Sequence, residues 1–178
     1  MILRTDNYKE GGFAIVFLDY LSGKAYKLFK SFEHPKSDTY NYNKEQFNKF
    51  RREVYNSERE AYELIQNSNL KEYFPAYYAN TKINAVLDNC RQDISNQFLL
   101  DCCLTLELIQ GESYKLNDNI SNESIAYQNI DINSIFQSLD EIGVKFFDDA
   151  NVFWNNGEIK IIDIATQDFV NFEKEEEC

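Results

Sequence analysis

Apolar positions in the first third of the chain predict a β-hairpin followed by a long helix. Residues 13–20, FAIVFLDY, are aromatic and β-branched, and the turn LSGK separates them from a second apolar run, AYKLFKSF. Residues 31–43 are polar and aperiodic, which predicts a loop. From Lys44 to Gln66, apolar residues recur at helical spacing between charged ones, which predicts an amphipathic helix. The apolar positions of this helix are Phe47, Phe50, Val54, Ala61, Leu64 and Ile65.

The remaining pattern predicts strands, a short helix and a second hairpin. YFPAYYANTKINAVLD and NQFLLDCCLTLELIQ are predicted to be strands, the second long and buried, and residues 115–131 are predicted to be a connection. Ile132–Ile142 is amphipathic and is followed by Gly143, which is typical of a helix C-terminus. Residues 144–166 contain a second hairpin with Asn155-Asn156-Gly157 as its turn. This order of elements predicts an α+β fold.

The charge of the chain narrows the classes of partner. A length of 178 residues fits one domain or two small lobes, and 43% hydrophobic residues are enough for a packed core. The net charge of −12 disfavours nucleic acid or an anionic membrane as the main partner, because a phosphate surface requires a positive face. A basic protein partner suits this charge. The alternative is an acidic surface that only maintains solubility.

Cysteine and histidine usage limits the chemistry of the chain. The N-terminal MILRTDNYKE lacks the apolar stretch of a signal peptide, and no run approaches transmembrane length. Cys102 and Cys103 lie within an apolar run and are expected to be buried thiols in a reducing, cytoplasmic compartment. His34 is the single histidine, which disfavours a zinc site and Ser-His-Asp or Cys-His catalysis.

Several residues of types that bind phosphate groups or their metal ions follow one another along the chain. A glycine pair precedes the first strand, a lysine lies on the second, and an acidic residue lies on the long helix. Small-residue loops let backbone N–H groups approach a phosphate, and oxygen side chains are the ligands that Mg²⁺ prefers. The residues are Gly11 and Gly12, Lys27, Glu60, Glu107 and Leu108 at the end of a strand, Asn151 and Asp163.

This order resembles the protein-kinase-like fold over residues 8–166. The resemblance implies an antiparallel-sheet N-lobe with one main helix in residues 1–110, a truncated C-lobe with a catalytic-loop-like hairpin in residues 111–170, and an acidic tail in residues 171–178. It implies that the chain binds ATP and Mg²⁺. Gly11 and Gly12 would form the glycine-rich loop, Lys27 would contact the phosphates with Glu60 as its partner, Glu107 and Leu108 would form the adenine hinge, and Asn151 and Asp163 would hold the metal.

The chain departs from the kinase pattern at the catalytic base. The base is expected five residues before the metal-holding asparagine, and that position is Phe146, which cannot accept a proton. Asp148 and Asp149 lie nearby as weak substitutes. Fifteen residues follow Asp163, too few for a peptide-binding helical platform. The resemblance is therefore to a reduced, pseudokinase-like member, similar in economy to minimal bacterial effector kinases.

Each of these residues also has a purely structural interpretation. Lys27 can be an exposed residue of a hairpin strand, and Glu53 lies on nearly the same helix face as Glu60. Asn151 can bond its own backbone, and Asp163 can cap a turn at a strand end. Asp163 nevertheless gives the strongest indication of a functional site. A carboxylate directly after the apolar strand IKII costs free energy to bury unless it contacts a cation or hydrogen-bond donors.

Three functions are compatible with the sequence. The first is a pseudoenzyme that binds a protein partner, as an inhibitor or immunity-type protein would, with residual Mg-nucleotide binding. The second is an active, atypical ATP-dependent transferase or minimal kinase, in which positioning and metal charge supply most of the catalysis. The third is an α+β interaction domain whose likeness to kinases is accidental.

Overall fold

The structure is a computed structural model, and it describes residues 1–39, 42–79, 81–115, 131–145, 150–155 and 158–167. It is an α+β fold, as the sequence predicts. The helices are α1 (Lys44–Gln66) and α2 (Ile132–Glu141). The strands are β1 (Ile2–Arg4), β2 (Tyr8–Glu10), β3 (Ala14–Asp19), β4 (Lys24–Lys30), β5 (Ala85–Leu87), β6 (Phe98–Glu107), β7 (Glu112–Lys115), β8 (Asn151–Asn155) and β9 (Glu158–Ile162).

Contacts within the chain group into two units. The first comprises Met1–Asn56 and Tyr77–Leu108, and the second comprises Ser57–Ala76 and Ile109–Cys178. Helix α1 contributes its first half to the first unit and its second half to the second unit. The domain bounds that the kinase resemblance implies, at residues 110 and 170, stay a prediction.

The first unit is built on a four-stranded antiparallel sheet in the order β2-β3-β4-β6. One face of this sheet carries Ile15, Phe17 and Leu28, which pack in one buried cluster with Leu3 of β1 and Val86 of β5. Strands β1 and β5 pair in parallel and form a small second sheet. The alternation of side chains along β3 and β4 thus places a buried apolar cluster on one face of the main sheet.

The other face of the main sheet packs against the first half of α1. The ring of Phe29 on β4 is fully buried and lies edge-on to Tyr55 of α1, with 5.6 Å between ring centroids. Arg51 of α1 is also buried, and its guanidinium lies 4.2 Å from the ring centroid of Phe13 and 4.6 Å from that of Phe47. Planar stacking on aromatic faces allows this cation to be buried beside the sheet.

The second unit contains a three-stranded antiparallel sheet in the order β7-β8-β9. Val152 of β8 and Ile159 and Ile161 of β9 are buried. Lys160, on the same hairpin, donates from Nζ to the carbonyl oxygens of Glu72 and Phe74 at 3.0 and 3.1 Å. This ties the hairpin to the turn of 3₁₀ helix after α1.

Helix α2 ends at Glu141 with Ile142 as its C-cap, and Gly143 follows as the closing glycine that the sequence predicts. The Gly143 N–H donates to the Asp140 carbonyl at 3.1 Å, and the Val144 N–H donates to the Leu139 carbonyl at 2.9 Å. Gly143 has a φ of 96°, a conformation that glycine adopts without a steric penalty. This is the Schellman arrangement, and its two apolar positions, Leu139 and Val144, are both fully buried.

The long periodic predictions are confirmed, and several short ones are wrong. Helix α1 has the predicted bounds, and the first hairpin and β6 lie where the pattern places them. The strand predicted over residues 73–88 is wrong for most of its length, since among the described residues of this range only Ala85–Leu87 is a strand. Pro75 has no N–H to donate to a ladder, and Tyr77 makes only an isolated bridge, to Leu106. Strands β1, β2 and β7 are additional to the prediction.

Candidate functional site

Asn151 and Asp163, the two predicted metal-holding residues, meet in the second unit. Asn151 begins β8 and pairs with Ile162, the last residue of β9, so that Asp163 follows at the same end of the hairpin. The Asn151 Nδ2 donates a hydrogen bond to Asp163 Oδ2 at 2.9 Å. Both residues are half-buried. The hairpin register therefore brings an amide and a carboxylate together at the strand ends, as the sequence predicts.

Asp163 is held in a left-handed backbone conformation, with a φ of 61°. Aspartate enters this region more readily than most residues, but the conformation still costs about 1 kcal/mol relative to ordinary backbone. Such a residue persists where its surroundings fix it, and it turns the Asp163 carboxylate out of the strand alternation. The left-handed backbone at the end of β9 thus directs the Asp163 side chain toward Asn151.

The donor chemistry of the pair suits a hard divalent cation. Carboxylate and amide oxygens are hard ligands, which Mg²⁺ prefers, and Mg²⁺ commonly binds through one or two protein groups with water and phosphate oxygens completing its shell. Within the described part of the chain, no group of three or more His, Cys, Asp or Glu side chains is placed to hold a metal ion. The residues present fit a cation that arrives with a phosphate, and they do not form a self-sufficient metal site.

Lys27, the predicted phosphate-contacting residue, lies at the centre of the main sheet in the first unit. Its backbone pairs with Val16 on β3 and Leu104 on β6. Its Nζ lies 5.8 Å from the ring centroid of Phe29, two residues along the strand, so both side chains lie on the face that α1 covers. Lys27 is half-buried, which differs from the alternative of a freely exposed hairpin lysine.

The predicted glycine-rich loop joins β2 to β3 and is held by its own contacts. The Gly11 N–H donates to the Ala14 carbonyl at 2.9 Å, and the Gly11 carbonyl accepts a hydrogen bond from Lys30 Nζ at 2.7 Å. Gly12 has open space where a Cβ would lie, and neither glycine is among the residues with a positive φ. The Gly11 amide is therefore engaged within the protein, and the loop does not require glycine for its conformation.

A charge network around the buried Lys30, which sequence reasoning missed, supports this loop. Lys30 is 2% exposed, and its Nζ lies 3.0 Å from a carboxylate oxygen of Glu10. The other Glu10 oxygen pairs with Lys36 at 2.5 Å, and the hydrogen bond from Lys36, with further contributions from Lys30, holds the pKa of Glu10 below its ordinary value. The sequence carries no distinct signal for this network, because β2 is short, wholly exposed and without apolar alternation.

The predicted hinge residues lie where β6 ends. Glu107 is the last residue of β6 and pairs with Lys24, and the Leu108 N–H donates to the Gly23 carbonyl at 2.9 Å. The chain passes from the first unit to the second between Leu108 and Ile109. The Leu108 amide is used within the first unit, and the hinge role of Glu107 and Leu108 stays a prediction.

Glu60 has a hydrogen-bond partner in the second unit. Its Oε2 accepts a hydrogen bond from the Thr166 hydroxyl at 3.3 Å, three residues after Asp163. The residue itself is exposed, as is its rival Glu53, which lies 3.9 Å from Lys49 on the same helix. The assignment of Glu60 as the partner of Lys27 stays a prediction.

Ser57 is a further residue near this site that sequence reasoning missed. It is buried on α1, and its hydroxyl contacts the backbone of the segment that follows Asp163. A signal exists in the sequence: Ser57 falls between Val54 and Ala61 on the apolar stripe of the helix. A polar residue on a buried stripe is expected to have a specific partner.

The remaining predictions for this region lie outside the described residues. They concern Phe146 in the position of the base, Asp148 and Asp149 as its substitutes, Asn156 and Gly157 of the second hairpin turn, and the acidic tail. Among the residues that are described, no helix is both long and apolar enough to cross a membrane.

Comparisons with known proteins add no identification to this geometry. No family model, no curated protein and no solved structure matches the chain. The interpretation of the chain as kinase-like therefore depends on the order of residues in the sequence and on the geometry within each unit.

Proposed function

We propose that this protein is a kinase-like pseudoenzyme that retains binding of a Mg-nucleotide and acts by binding a protein partner. The observation that carries the nucleotide part is the Asn151–Asp163 pair, with 2.9 Å between Nδ2 and Oδ2 and Asp163 in the left-handed region. Two oxygen-bearing side chains at one hairpin end match the ligands that a phosphate-bound Mg²⁺ takes from a protein.

In the first unit, the order of residues in the sequence assigns contact with the phosphates to Lys27. Lys27 is half-buried on a central strand, where an ammonium interacts with a phosphate more strongly than in bulk water. The amides of Gly11 and Leu108 are already engaged within the first unit. The structural support for nucleotide binding in this proposal therefore comes from the Asn151–Asp163 pair of the second unit. The role of Lys27 is carried over from the order of residues in the sequence, and neither a glycine-rich loop nor a hinge adds support.

Mg-ATP is expected to stabilise the wild-type protein against thermal unfolding. At a hundred times its dissociation constant, a ligand of the folded state contributes about 2.7 kcal/mol. Asp163→Asn is expected to abolish this stabilisation, because asparagine tolerates the left-handed backbone but removes the charge that holds the cation. Thermal melts of wild type and variant, each with and without Mg-ATP, make the comparison.

Two matched variants make this test specific. Asp140→Asn removes another carboxylate of the second unit, an exposed one on α2, and is expected to keep the full stabilisation. Lys27→Met is expected to lose it, while Lys24→Met, on the same strand, keeps it. A wild-type melt that Mg-ATP leaves unmoved would remove the nucleotide from the proposal.

The protein-partner part of the proposal rests on Phe146 and on the acidic charge. Phenylalanine in the position of the base leaves orthodox phosphoryl transfer to Ser or Thr without its proton acceptor. A net charge of −12 favours association with a basic surface. Pull-down from native lysate is expected to return a stoichiometric basic protein, with less retained as salt is raised. Repeated recovery of no such partner contradicts this part.

Incubation with labelled ATP separates the pseudoenzyme from an atypical transferase. The proposal predicts equal, background label with wild type and Asp163→Asn. Label that requires Mg²⁺ and is lost in Asp163→Asn would establish an active nucleotide-dependent transferase, in which positioning and metal charge act without an orthodox base.

A further inference from the structure

We propose that Ser57 is a positioning residue, which fixes the segment after Asp163 and through it the orientation of the Asp163 carboxylate. This inference rests on the proposed function, because it concerns the same Asn151–Asp163 pair. Ser57 lies on the second half of α1, in the same unit as Asp163, and only 4% of it is exposed.

Ser57 accepts hydrogen bonds from the backbone N–H groups of two consecutive residues. Its Oγ lies 3.0 Å from the Thr166 nitrogen and 3.0 Å from the Gln167 nitrogen, and it accepts a hydrogen bond from both N–H groups. Its own carbonyl also accepts from the Thr166 N–H, at 3.4 Å. One buried serine therefore supplies the acceptors for the backbone three and four residues beyond Asp163.

The hydroxyl groups of Ser57 and Thr166 donate their hydrogen bonds in one direction, toward Glu60. Thr166 Oγ1 lies 3.3 Å from Glu60 Oε2, and an ionised carboxylate only accepts, so the Thr166 hydroxyl is the donor in that bond. Thr166 Oγ1 also lies 3.1 Å from Ser57 Oγ, and with its own hydrogen used it accepts from Ser57. The order is thus from Ser57 to Thr166 to Glu60. This gives Glu60 a role in holding the segment.

The segment between Asp163 and this anchor has little freedom. Ile164 is fully buried and Ala165 is 5% exposed. On the other side, Asp163 directly follows Ile162, which is paired with Asn151. A left-handed residue that is fixed at both ends keeps its conformation, and release of one end lets the backbone return to an ordinary region. Ser57 supplies the fixed end that lies after Asp163.

NMR of the ¹⁵N-labelled protein tests this role. In Ser57→Ala, amide exchange at Thr166 and Gln167 is expected to be about tenfold faster, as loss of a hydrogen bond to each predicts. The backbone coupling constant and shifts of Asp163 are expected to lose their left-handed signature. The affinity for Mn-ATP, followed by paramagnetic broadening of the ATP signals, is expected to fall about tenfold.

Ser68→Ala is the matched control. Ser68 follows α1 in the same unit, and its Oγ donates to the Ile65 carbonyl at 2.9 Å and accepts from the Leu70 N–H at 3.1 Å. Ser68→Ala removes a similar number of hydrogen bonds at a place distant from Asp163 in the sequence. This variant is expected to keep the left-handed signature of Asp163 and the Mn-ATP affinity at wild-type values. Should Ser57→Ala fail to fold, Thr166→Val decides, since it removes only the hydroxyl relay and is expected to weaken Mn-ATP binding about threefold.

The outcomes separate the positioning role from the proposed function. A folded Ser57→Ala that keeps the left-handed Asp163 signature and wild-type affinity for Mn-ATP overturns the positioning role and leaves the proposed function standing; unchanged affinity in Thr166→Val does the same if Ser57→Ala does not fold. A wild-type protein without affinity for Mn-ATP overturns the proposed function. In that case the Asp163 signature alone decides the role of Ser57.

Discussion

Replacing Lys30 by methionine is expected to lower the free energy of unfolding by about 3 kcal/mol. The Lys30 ammonium is buried, and it bonds both the Gly11 carbonyl and the Glu10 carboxylate. Methionine has a similar length but leaves both acceptors without this donor. The expected loss lies at the lower end of values for broken buried ion pairs, because Glu10 keeps its contact with Lys36. Urea denaturation at neutral pH measures the difference.

Lys36→Met is the matched control for this variant. Lys36 pairs with the same carboxylate, at 2.5 Å, but its side chain is 70% exposed. Exposed ion pairs contribute little, because water screens them and the side chain loses conformational entropy in forming them. Burial of Lys30, not the presence of an ion pair, is thus the source of the expected loss. An equal loss in both variants would show that this assignment is wrong.

Acidification is expected to destabilise the protein by about 3 kcal/mol through His34 alone. Burial, with a further contribution from the neighbouring positive charge of Lys30, lowers the pKa of His34 from 6.5 to about 4. As the pH falls below 6.5, His34 binds a proton in the unfolded chain but stays neutral in the folded protein. The stability supplied by neutral His34 is therefore fully present above pH 6.5 and is lost progressively down to about pH 4.

The contacts of His34 explain why it stays neutral. Its Nδ1 accepts a hydrogen bond from the Lys36 backbone N–H at 3.2 Å, and its ring lies edge-on to Phe98 with centroids 5.5 Å apart. A proton on Nδ1 would replace that acceptor by a donor facing a donor. The positive ring would also lie near Lys30, with only the Glu10 charge acting in the opposite sense.

The single histidine of the chain makes this measurement direct. Urea denaturation of wild type and His34→Gln over the range from pH 7 to pH 4 is expected to give curves that diverge as the pH falls, because only the wild type titrates there through a histidine. Glu10, whose pKa is also lowered, loses its contribution only below its ordinary value of 4.5. In Lys30→Met, the divergence is expected to shrink, since removal of that charge raises the pKa of His34. Parallel curves for wild type and His34→Gln would exclude this role for His34.

Local sequence pattern is enough for the long elements of this fold. The helical period from Lys44 to Gln66 places both ends of α1 correctly, because the apolar stripe and the charged face persist over its whole length. Gly143 closes helix α2 because the sequence supplies a glycine where the backbone needs a φ of 96°. The proximity of Asn151 and Asp163 is predictable in part for the same reason, since the register of one hairpin pairs Asn151 with Ile162, the residue before Asp163.

Short strands are not encoded in this local way. Strand β1 has one buried residue and pairs with β5 more than eighty positions along the chain, and β2 has none that is buried. Such segments become strands because a partner strand presents its hydrogen-bonding groups to them. The predicted strand over residues 73–88 failed for the opposite reason, since apolar content without a continuous ladder of donors does not make a strand.

The sequence by itself determined the α+β class, the long helix, the two hairpins and the position of Asn151 and Asp163 at the end of the second one. Only the tertiary structure decided that Lys30 is the buried lysine of the first hairpin and that Ser57 holds the backbone beyond Asp163. Periodicity and turn chemistry act over a few residues and leave their signature in adjacent positions. Ser57 and Thr166 are 109 positions apart, and the partner of a buried polar group is fixed by the fold around it, which neighbouring residues do not specify.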